Sequence, residues 1–337
     1  MTKYLLGVDG GNSKTDYMLF REDGTFVDIL RRPTCSHERM PTGYAGAQEA
    51  MESHLDDLFT KNNINITDIA SAAFGLAGAD LPVQIQALNT VIKNLGFTKF
   101  ALANDGILGV KAVAETGVCA ISGTGAVVVG INQAGKMLQV GGIGQISGDY
   151  AGGGHITKCG VEAVYSYYYR MGAFSAIIPE ILKLHGTSDI TDLLTFVSDH
   201  EWRMVNAKEI IKIIDDAAIA GDKVAAKILD DVGICSAEGV LGCIRNLTFD
   251  GEITVVKAGS IWHRLNYPGM TGNFTDTIRR NTVQVTRFVM LDSPPALGAV
   301  FWAMELLYGQ VDASYRKEML SYFNAEKYDS LTKGEPQ

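Results

Sequence analysis

A strand, a glycine-rich turn, a second strand, a hairpin turn and a third strand occur twice in this chain. In the first copy the glycine turn is Gly10-Gly11 and the hairpin signal is Asp23-Gly24. In the second copy the glycine turn is Gly123–Gly125 and the hairpin signal is Ala134-Gly135. The number of residues from the end of the first strand to the hairpin turn is nearly the same in the two copies, so the sequence indicates a duplicated unit.

Each copy continues into alternating helices and strands. After the first copy, apolar residues at helical spacing predict helices over Gly43–Thr60 and Val83–Leu95, and short apolar runs predict strands over Ile69–Leu76 and Phe100–Ala103. A duplicated α/β unit predicts two lobes that face one cleft, and clefts are where ligands usually bind. After the second copy we predict helices over Gly152–Met171, Ile177–Leu184, Ala207–Ala220, Lys223–Leu247 and Pro295–Leu307. We predict strands over Ile253–Ala258 and Gln284–Met290.

Composition excludes several classes of protein. The chain has 337 residues, enough for two domains of ordinary size. With 47% apolar and 20% charged residues it is not a disordered chain. A net charge of -9 argues against general binding to nucleic acids or acidic membranes, which requires a basic surface. Phosphate ligands stay possible, because backbone N–H groups and Mg²⁺ hold them without net positive charge.

The sequence also predicts a cytoplasmic location with no membrane partner. It does not start with a basic segment followed by a long apolar stretch. The most apolar window, Gly117–Ile131, is interrupted and too short to span a bilayer. The five cysteines are scattered singly and form no CxxC pair, which is typical of a reduced protein without a structural metal or iron–sulfur site.

The segment Gly7–Thr15 has some features of a P-loop, but a P-loop needs Gly directly before Lys and a helix after the motif. Here Ser13 precedes Lys14, and the residues that follow are typical of a strand. We therefore interpret the segment as a strand–turn–strand whose turn amides form a nest for phosphate. Ser122–Gly125 is a second such nest at the matching position of the repeat. Two nests could clamp the β- and γ-phosphates of a nucleotide from opposite sides. The alternative interpretation is that both segments are ordinary hairpin turns that bind no phosphate.

Two aspartates lie at predicted strand ends in the first half. Asp9 would either cap the first turn or hold Mg²⁺ beside bound phosphates, directly or through water. Asp105 is either the N-cap of the next helix or a carboxylate placed to take a proton from a substrate hydroxyl. Ligands of open α/β sheets gather at the carboxyl ends of strands, where both residues lie.

A series of motifs along nearly the whole chain resembles the N-acetylglucosamine kinase branch of the BadF/BadG/BcrA/BcrD ATPases, in the actin–hexokinase–Hsp70 superfamily. The motifs are Gly7–Thr15, Gly75–Gly78, Asn104-Asp105, Ser122–Gly125, Gly141–Gly144 with Gly148-Asp149, Lys257–Ser260 and Ser293–Ala299. The resemblance implies an α/β fold of two ribonuclease H-like (actin-like ATPase) lobes, each a mixed five-stranded sheet with helices, around a central cleft. The implied lobes are 1–115, on the sugar and phosphate side, and 116–337, which binds ATP, carries helical insertions and has a last helix that can dock back on lobe one.

The resemblance also implies an activity, the ATP- and Mg²⁺-dependent phosphorylation of an amino sugar, with N-acetylglucosamine and its 6-phosphate as the leading substrate and product. Asp105 would be the general base and Asp9 the metal residue, and the assembly would be a homodimer. The implied ATP and phosphate contacts are Gly10, Gly11, Asn12, Ser13, Lys14, Thr15, Ser122, Gly123, Thr124, Gly125, Gly259 and Ser260. The implied sugar contacts are Ser36, His37, Gly78, Asn104, Asp105 and Asp149.

On the sugar side the sequence departs from the family pattern. Ser36 stands where an asparagine is common, and Tyr150 stands where many acetylhexosamine kinases carry glutamate. Glucosamine and N-acetylmuramic acid are therefore candidate substrates beside N-acetylglucosamine. Two other classes stay open. An ATP-driven activator would need cysteines such as Cys119 and Cys159 to hold an iron–sulfur cluster across a dimer, and a nucleotide-binding regulator would have no need of a base at Asp105.

Overall fold

The computed structural model describes residues 2–199 and 206–332. These residues form two compact units. The first unit comprises the chain up to Gly117 together with the chain from Leu291 onward, and the second comprises Val118–Met290. The sequence predicts a second lobe over 116–337, so the structure differs in placing the part after Met290 with the first unit.

The first unit contains a five-stranded mixed sheet. Its strands are β1 (Tyr4–Gly10), β2 (Lys14–Arg21), β3 (Phe26–Pro33), β4 (Ile69–Leu76) and β5 (Phe100–Ala103), in the spatial order β3-β2-β1-β4-β5. β2 is antiparallel to both β1 and β3, whereas β4 and β5 run parallel to β1. The carboxyl ends of β1, β4 and β5 therefore meet at one edge of the sheet.

The sheet of the second unit repeats this plan. Its strands are β6 (Gly117–Ser122), β7 (Ala126–Ile131), β8 (Met137–Gly141), β9 (Ile253–Ala258) and β10 (Thr286–Met290). The spatial order β8-β7-β6-β9-β10 is again third, second, first, fourth and fifth, with β9 parallel to β6 and β10 parallel to β9. The duplication and the two five-stranded sheets predicted from the sequence are confirmed.

Helices pack against both sheets, and none of those in the described ranges is long and apolar enough to cross a membrane. In the first unit they are α1 (Tyr44–Asn62), α2 (Pro82–Asn94), α3 (Ile107–Val113), α11 (Pro295–Tyr308), α12 (Ala313–Tyr322) and α13 (Ala325–Thr332). In the second unit they are α4 (Gly153–Tyr169), α5 (Ile177–Leu184), α6 (Ile190–Asp199), α7 (Ala207–Ile219), α8 (Lys223–Asn246), α9 (Ser260–Arg264) and α10 (Pro268–Asn281). Short 3₁₀ turns occupy Ile66–Asp68 and Gly144–Ser147.

Helix α11 explains why the end of the chain belongs to the first unit. Its apolar side chains, including Leu297 and Phe301, are buried against one face of β1 and β2 in a common core. The helix lies so close to β1 that a Cβ atom on Gly7 would be 2.6 Å from the backbone nitrogen of Val300. Burial of a large side chain contributes about 1.5–3 kcal/mol, so this helix is a principal part of the first unit's core.

Several helices are absent from the pattern predicted above. They are α6, α9, α10, α12 and α13. In α10 the buried residues Met270, Phe274 and Ile278 follow a spacing of four, but the rest of the helix is polar and contains glycine and threonine. Helices of this composition depend on tertiary packing, because their intrinsic propensity is low.

Candidate active site

The first glycine turn joins β1 to β2 at the carboxyl edge of the first sheet. The Gly10 carbonyl accepts a hydrogen bond from the Ala77 amide at 2.7 Å, and the Gly11 carbonyl accepts one from Thr34 Oγ1 at 2.7 Å. These bonds fix the backbone of the turn, while Asn12 and Ser13 at its tip are exposed. The turn therefore has the fixed backbone and the accessible tip that a phosphate nest requires.

Two predicted phosphate contacts next to this turn have other partners. The side chain of Thr15 is fully buried, and its Oγ1 accepts a hydrogen bond from the Cys35 amide at 3.0 Å. The hydroxyl therefore faces the protein interior, and the predicted phosphate contact of Thr15 stays a prediction. Lys14 is half-exposed, and its ammonium pairs with Asp16 at 2.6 Å while remaining open to solvent.

Asp105 approaches the first turn from the end of β5. A Cβ atom built on Gly11 would be 3.8 Å from Asp105 Oδ2, so the carboxylate faces the turn at van der Waals distance. Burial, together with the negative charges of Asp80 and Glu38, raises the pKa of Asp105 to about 6. At neutral pH this carboxylate is ionised and basic enough to accept a proton, which is the requirement for a general base.

Asp9 is the second carboxylate of this edge. Burial, followed by the negative charges of Asp105 and Asp16, raises the pKa of Asp9 to about 8. Among the described residues, none donates a side-chain hydrogen bond to the Asp9 carboxylate. A buried carboxylate in a negative field is stabilised when a cation binds to it, so Asp9 fits the predicted role of a magnesium ligand.

Asp16 lies opposite Asp9 and was not among the residues predicted for the site. Its carboxylate receives two hydrogen bonds from Arg31, at 2.7 and 3.0 Å, and one from Lys14 at 2.6 Å. Burial alone would raise the pKa of Asp16, but these bonds and the positive charge of Lys14 hold it below its ordinary value. No sequence signal identified this pairing, because Arg31 lies on the next strand.

Three predicted sugar contacts come together beside the same edge. The His37 ring is stacked on Tyr44, with ring centroids 4.2 Å apart, and it lies against Gly78, where a Cβ atom would come within 2.5 Å of His37 Cε1. Ser36 is 3% exposed. Within residues 2–199 and 206–332, neither Ser36 Oγ nor His37 Nδ1 has a hydrogen-bond partner. Buried polar atoms of this kind usually have a partner, so a polar ligand is the natural one here.

Asn104, a predicted sugar contact, is bonded to two neighbouring groups. Its Nδ2 donates to Asp80 at 2.7 Å, and its Oδ1 accepts from the Gly106 amide at 2.8 Å. These bonds hold the segment that carries Asp105. The predicted contact of Asn104 with the sugar stays a prediction.

In the second unit, the second glycine turn packs against the start of α4. The Gly153 amide donates to the Gly123 carbonyl at 2.8 Å, and the Gly154 amide donates to the Thr124 carbonyl at 3.0 Å. Ser122 is fully buried, and its hydroxyl donates to the Ala151 carbonyl. Thr124 and Gly125 are exposed at the tip. The phosphate contacts of these three residues stay predictions.

A cavity of about 460 Å³ opens beside this turn. The predicted contact Ser260 lines it. Gly259, the residue before Ser260, has a φ of 100° and lies close to the Ser122 carbonyl. Residues of α7, of α9 and of the segment after α9 that were not predicted from the sequence complete the cavity. They include the cationic side chains Lys208, Lys212 and Arg264, the acidic side chains Asp215 and Asp216, and the apolar side chains Ile211, Ile261 and Leu265. Asp216 pairs with Lys212 at 2.6 Å, so Lys208 and Arg264 are the cationic groups that suit the phosphates, while the apolar walls suit a base.

Asp149, a predicted sugar contact, belongs to the second unit. Its carboxylate accepts hydrogen bonds from the Gly142 amide at 2.9 Å, the Gly144 amide at 2.6 Å and Ser147 Oγ at 2.8 Å. Asp149 therefore shapes the glycine-rich loop after β8. Its predicted contact with the sugar stays a prediction.

A resident metal cluster is not part of this arrangement. Across the two described ranges, no group of three or more His, Cys, Asp or Glu side chains is disposed to hold a metal ion. Mg²⁺ commonly uses one or two carboxylates together with substrate phosphates and water, so Asp9 alone is a sufficient protein ligand for it.

Comparisons with known proteins place this chain in a family. An N-acetylmuramic acid/N-acetylglucosamine kinase from Clostridium acetobutylicum is 23% identical over 310 residues, which cover 89% of this chain and 98% of the relative. A solved structure from Chromobacterium violaceum, provisionally named an N-acetylglucosamine kinase, is 20% identical with a TM-score of 0.64 and covers 88% of this chain and 98% of its own.

A ROK family glucokinase from Streptomyces griseus, solved with glucose and AMPPNP, is 14% identical with a TM-score of 0.52 and covers 90% of this chain and 98% of its own. The likeness to these structures confirms the two-lobed actin-like fold. The model of the BadF/BadG/BcrA/BcrD ATPase family matches residues 6–303. This match spans most of the chain, and the protein therefore belongs to the BadF/BadG/BcrA/BcrD ATPase family.

Proposed function

We propose that this protein is an ATP-dependent sugar kinase that phosphorylates an amino sugar. The observation that carries the proposal is the ionised, basic carboxylate of Asp105, which faces the first glycine turn at the carboxyl edge of the sheet. A nucleotide-binding protein without transfer chemistry has no use for a base at that position. The kinases among the relatives and structural neighbours support the same activity.

Asp105 is the catalytic residue in this proposal. Its carboxylate accepts the proton of the sugar hydroxyl while the hydroxyl oxygen forms a bond to the γ-phosphorus of ATP. The bond from the γ-phosphorus to the bridging oxygen breaks, and ADP leaves with that electron pair. General-base catalysis contributes about 10²–10⁴-fold, and positioning and charge stabilisation provide most of the remainder.

Each unit by itself offers groups for a nucleotide. The cavity of the second unit takes the adenosine, with Ser260 at its wall and Arg264 among its cationic groups. Gly259, the residue before Ser260, lies against the Ser122 carbonyl. The exposed tip of the first turn, Asn12 and Ser13, contributes amides and side chains to the phosphates. Asp9 would hold Mg²⁺, which when bound neutralises the charge of the β- and γ-phosphates.

Charges around Asp105 favour certain amino sugars. Asp80 lies within hydrogen-bond distance of Asn104, and Glu38 packs against Gly78 beside the His37 ring. These carboxylates disfavour a sugar that carries a carboxylate of its own, such as N-acetylmuramic acid, because like charges repel in a partly buried site. N-acetylglucosamine is the leading substrate, and glucosamine is the next.

A coupled ADP-release assay with Mg²⁺ and ATP tests the proposal. The panel contains glucose, glucosamine, N-acetylglucosamine and N-acetylmuramic acid, and mass spectrometry of the product identifies the phosphorylated sugar. We expect strong stimulation by one uncharged or cationic amino sugar. The absence of stimulation by every sugar, together with slow basal ATP hydrolysis, would overturn the proposal.

An iron–sulfur activator is the other activity considered for this family. Cys119 is fully buried in β6, and burial raises the pKa of its thiol well above the ordinary value. A cluster ligand must be an accessible thiolate, so Cys119 does not fit that role. The kinase is therefore the better supported activity.

The resemblance supports two further proposals, a homodimeric assembly and a cytoplasmic location. Light scattering of the purified protein tests the first, because a mass near 36 kDa instead of twice that value would contradict it. Fractionation of the source cells tests the second.

A further inference from the structure

The C-terminal helix α13 reaches the neighbourhood of the first glycine turn through one side chain. Tyr328 is 7% exposed, and its hydroxyl donates a hydrogen bond to Asp16 Oδ2 at 2.7 Å. The same oxygen accepts from the Lys14 ammonium at 2.6 Å. One carboxylate oxygen thus joins the C-terminal helix to the lysine that begins β2.

The Tyr328 ring adds a second contact to the same group. Lys14 Nζ lies 5.8 Å from the ring centroid, and the Arg31 guanidinium carbon lies 5.3 Å from it. Cations over an aromatic face are attracted by the electron density of the ring. The ammonium of Lys14 is therefore held between the Asp16 carboxylate and the Tyr328 ring, while much of the side chain remains exposed.

Packing alone does not account for the tyrosine. Its ring belongs to the core that Phe301, Phe323 and Met304 form around α11, where a phenylalanine would fill the same space. Burying a hydroxyl costs free energy unless it finds a partner. The hydroxyl of Tyr328 finds Asp16, which is the direct neighbour of Asp9 across the β1–β2 ladder. The Tyr328 hydroxyl, which a phenylalanine would lack, therefore has a function beside the first glycine turn.

We propose that Tyr328 is a positioning residue for phosphoryl transfer, because it acts through Asp16 to hold the Lys14 ammonium at the first glycine turn for the terminal phosphates of the nucleotide. Lys14 has N–H donors left over for an anion, since an ammonium has three and Asp16 uses one. The C-terminal helix thereby completes a phosphate site whose other parts lie in the first residues of the chain. This inference rests on the proposed kinase function.

Two substitutions separate the hydroxyl from the ring. Tyr328→Phe removes the hydrogen bond to Asp16 and keeps the ring under Lys14, whereas Tyr328→Leu removes both. We expect Tyr328→Phe to weaken binding of a non-hydrolysable ATP analogue about three- to tenfold by calorimetry, as for loss of a charge-assisted hydrogen bond. Binding of AMP, which lacks the terminal phosphates, and the KM of the sugar are expected to stay unchanged. Tyr328→Leu is expected to weaken the analogue further.

Lys14→Met provides the decisive background for the test. If Tyr328 acts by positioning Lys14, adding Tyr328→Phe to Lys14→Met changes analogue binding by less than about twofold, because residues that act as one unit are non-additive. Tyr322→Phe is the matched control, since Tyr322 is an exposed tyrosine at the end of α12 and is expected to behave as the unaltered protein.

The outcomes distinguish the positioning role of Tyr328 from the proposed kinase function. A lower midpoint of thermal unfolding with unchanged analogue binding in Tyr328→Phe would assign Tyr328 a purely structural role and overturn the inference. Full additivity with Lys14→Met would overturn it as well. Failure of the unaltered protein to bind any nucleotide would overturn the proposed function itself, and the positioning role with it.

Discussion

Asp9 and Asp16 face each other directly across the β1–β2 ladder, and Asp16 forms ion pairs with Arg31 and Lys14. Arg31 and Lys14 hold the pKa of Asp16 below its ordinary value, while burial and neighbouring carboxylates raise the pKa of Asp9 to about 8. The fold thus neutralises the Asp16 carboxylate with ion pairs and leaves the Asp9 carboxylate close to other negative charges. A cation that arrives with a nucleotide offsets these charges at Asp9.

The first prediction concerns the stability cost of Asp9. Its pKa in the folded protein, about 8, lies above the ordinary value of 3.8, so the ionised form destabilises the folded state. This cost is absent below about pH 4 and grows as the pH rises toward 8. We expect Asp9→Asn to increase the free energy of unfolding at pH 7 by roughly 1–3 kcal/mol and to abolish transfer. Urea unfolding at pH 4, 6 and 8 measures the effect.

Asp16→Asn is the matched control for that experiment. The pKa of Asp16 is lowered in the folded protein, so its ionised form contributes stability that is lost as the pH falls through the folded pKa. This variant leaves Arg31 without its partner and is expected to lose about 2–4 kcal/mol at pH 7. Equal effects of the two substitutions would contradict the opposite environments described here.

The second prediction assigns the base. Asp105→Asn is expected to lower kcat by about 10²–10⁴-fold, because the amide cannot accept the proton of the sugar hydroxyl. Binding of ATP by calorimetry is expected to remain within about twofold of the unaltered protein, since Asp105 faces the acceptor. Coupled ADP release measures kcat. Full activity of this variant would refute the assigned mechanism.

The third prediction is a pH dependence with a defined sign. Burial raises the pKa of Asp105 to about 6, so the base is ionised above that value and protonated below it. We expect kcat/KM for the sugar to fall tenfold for each pH unit below about 6, as for a single ionisation. Initial rates between pH 5 and 8 measure this fall in kcat/KM, and thermal unfolding over the same range checks that the protein remains folded. A flat profile over this range would exclude Asp105 as the titrating base.

The fourth prediction concerns Gly259, the residue before the cavity-lining Ser260. Gly259 has a φ of 100° and lies against the Ser122 carbonyl, so a methyl group there both strains the backbone and displaces the second glycine turn. We expect Gly259→Ala to weaken ATP binding by more than about tenfold, which corresponds to a loss of about 1.4 kcal/mol or more. Calorimetric titration with ATP measures the change.

Gly251→Ala is its control, because Gly251 also has a positive φ, of 77°, but no neighbouring atom within 4 Å of the added carbon. This substitution is expected to cost about 1–2 kcal/mol of stability through backbone strain and to leave nucleotide binding unchanged. Similar loss of binding in both variants would show that general destabilisation, and not the contact with Ser122, sets the affinity.

The strands were the most predictable part of the fold. β4, β5 and β9 have the predicted bounds, because each is a short apolar run closed by glycine or a polar residue. Helix α10 was not predicted, since its stabilising residues Met270, Phe274 and Ile278 are spread through a polar segment and gain their free energy from packing on α8. A local sequence shows the intrinsic helix propensity and the hydrophobic periodicity of a segment. A helix such as α10 depends instead on the apolar surface against which it packs.

The site was predictable where its chemistry is local. The glycine turns, Asp9 and Asp105 are recognisable from a few consecutive residues. The committed partners of Asn104 and Thr15 were not, because Asp80 and Cys35 come from other elements. The bond between Tyr328 and Asp16 joins residues 312 positions apart, and no pattern within either segment indicates it.

The interrupted first unit has a consequence for the order in which the protein is made. The second unit is one continuous stretch, Val118–Met290, so all of its strands are available once that stretch has left the ribosome. The first unit lacks α11, and with it a main part of its core, until the last segment is synthesised. Co-translational folding therefore favours completion of the nucleotide cavity before the base at Asp105 gains its final surroundings.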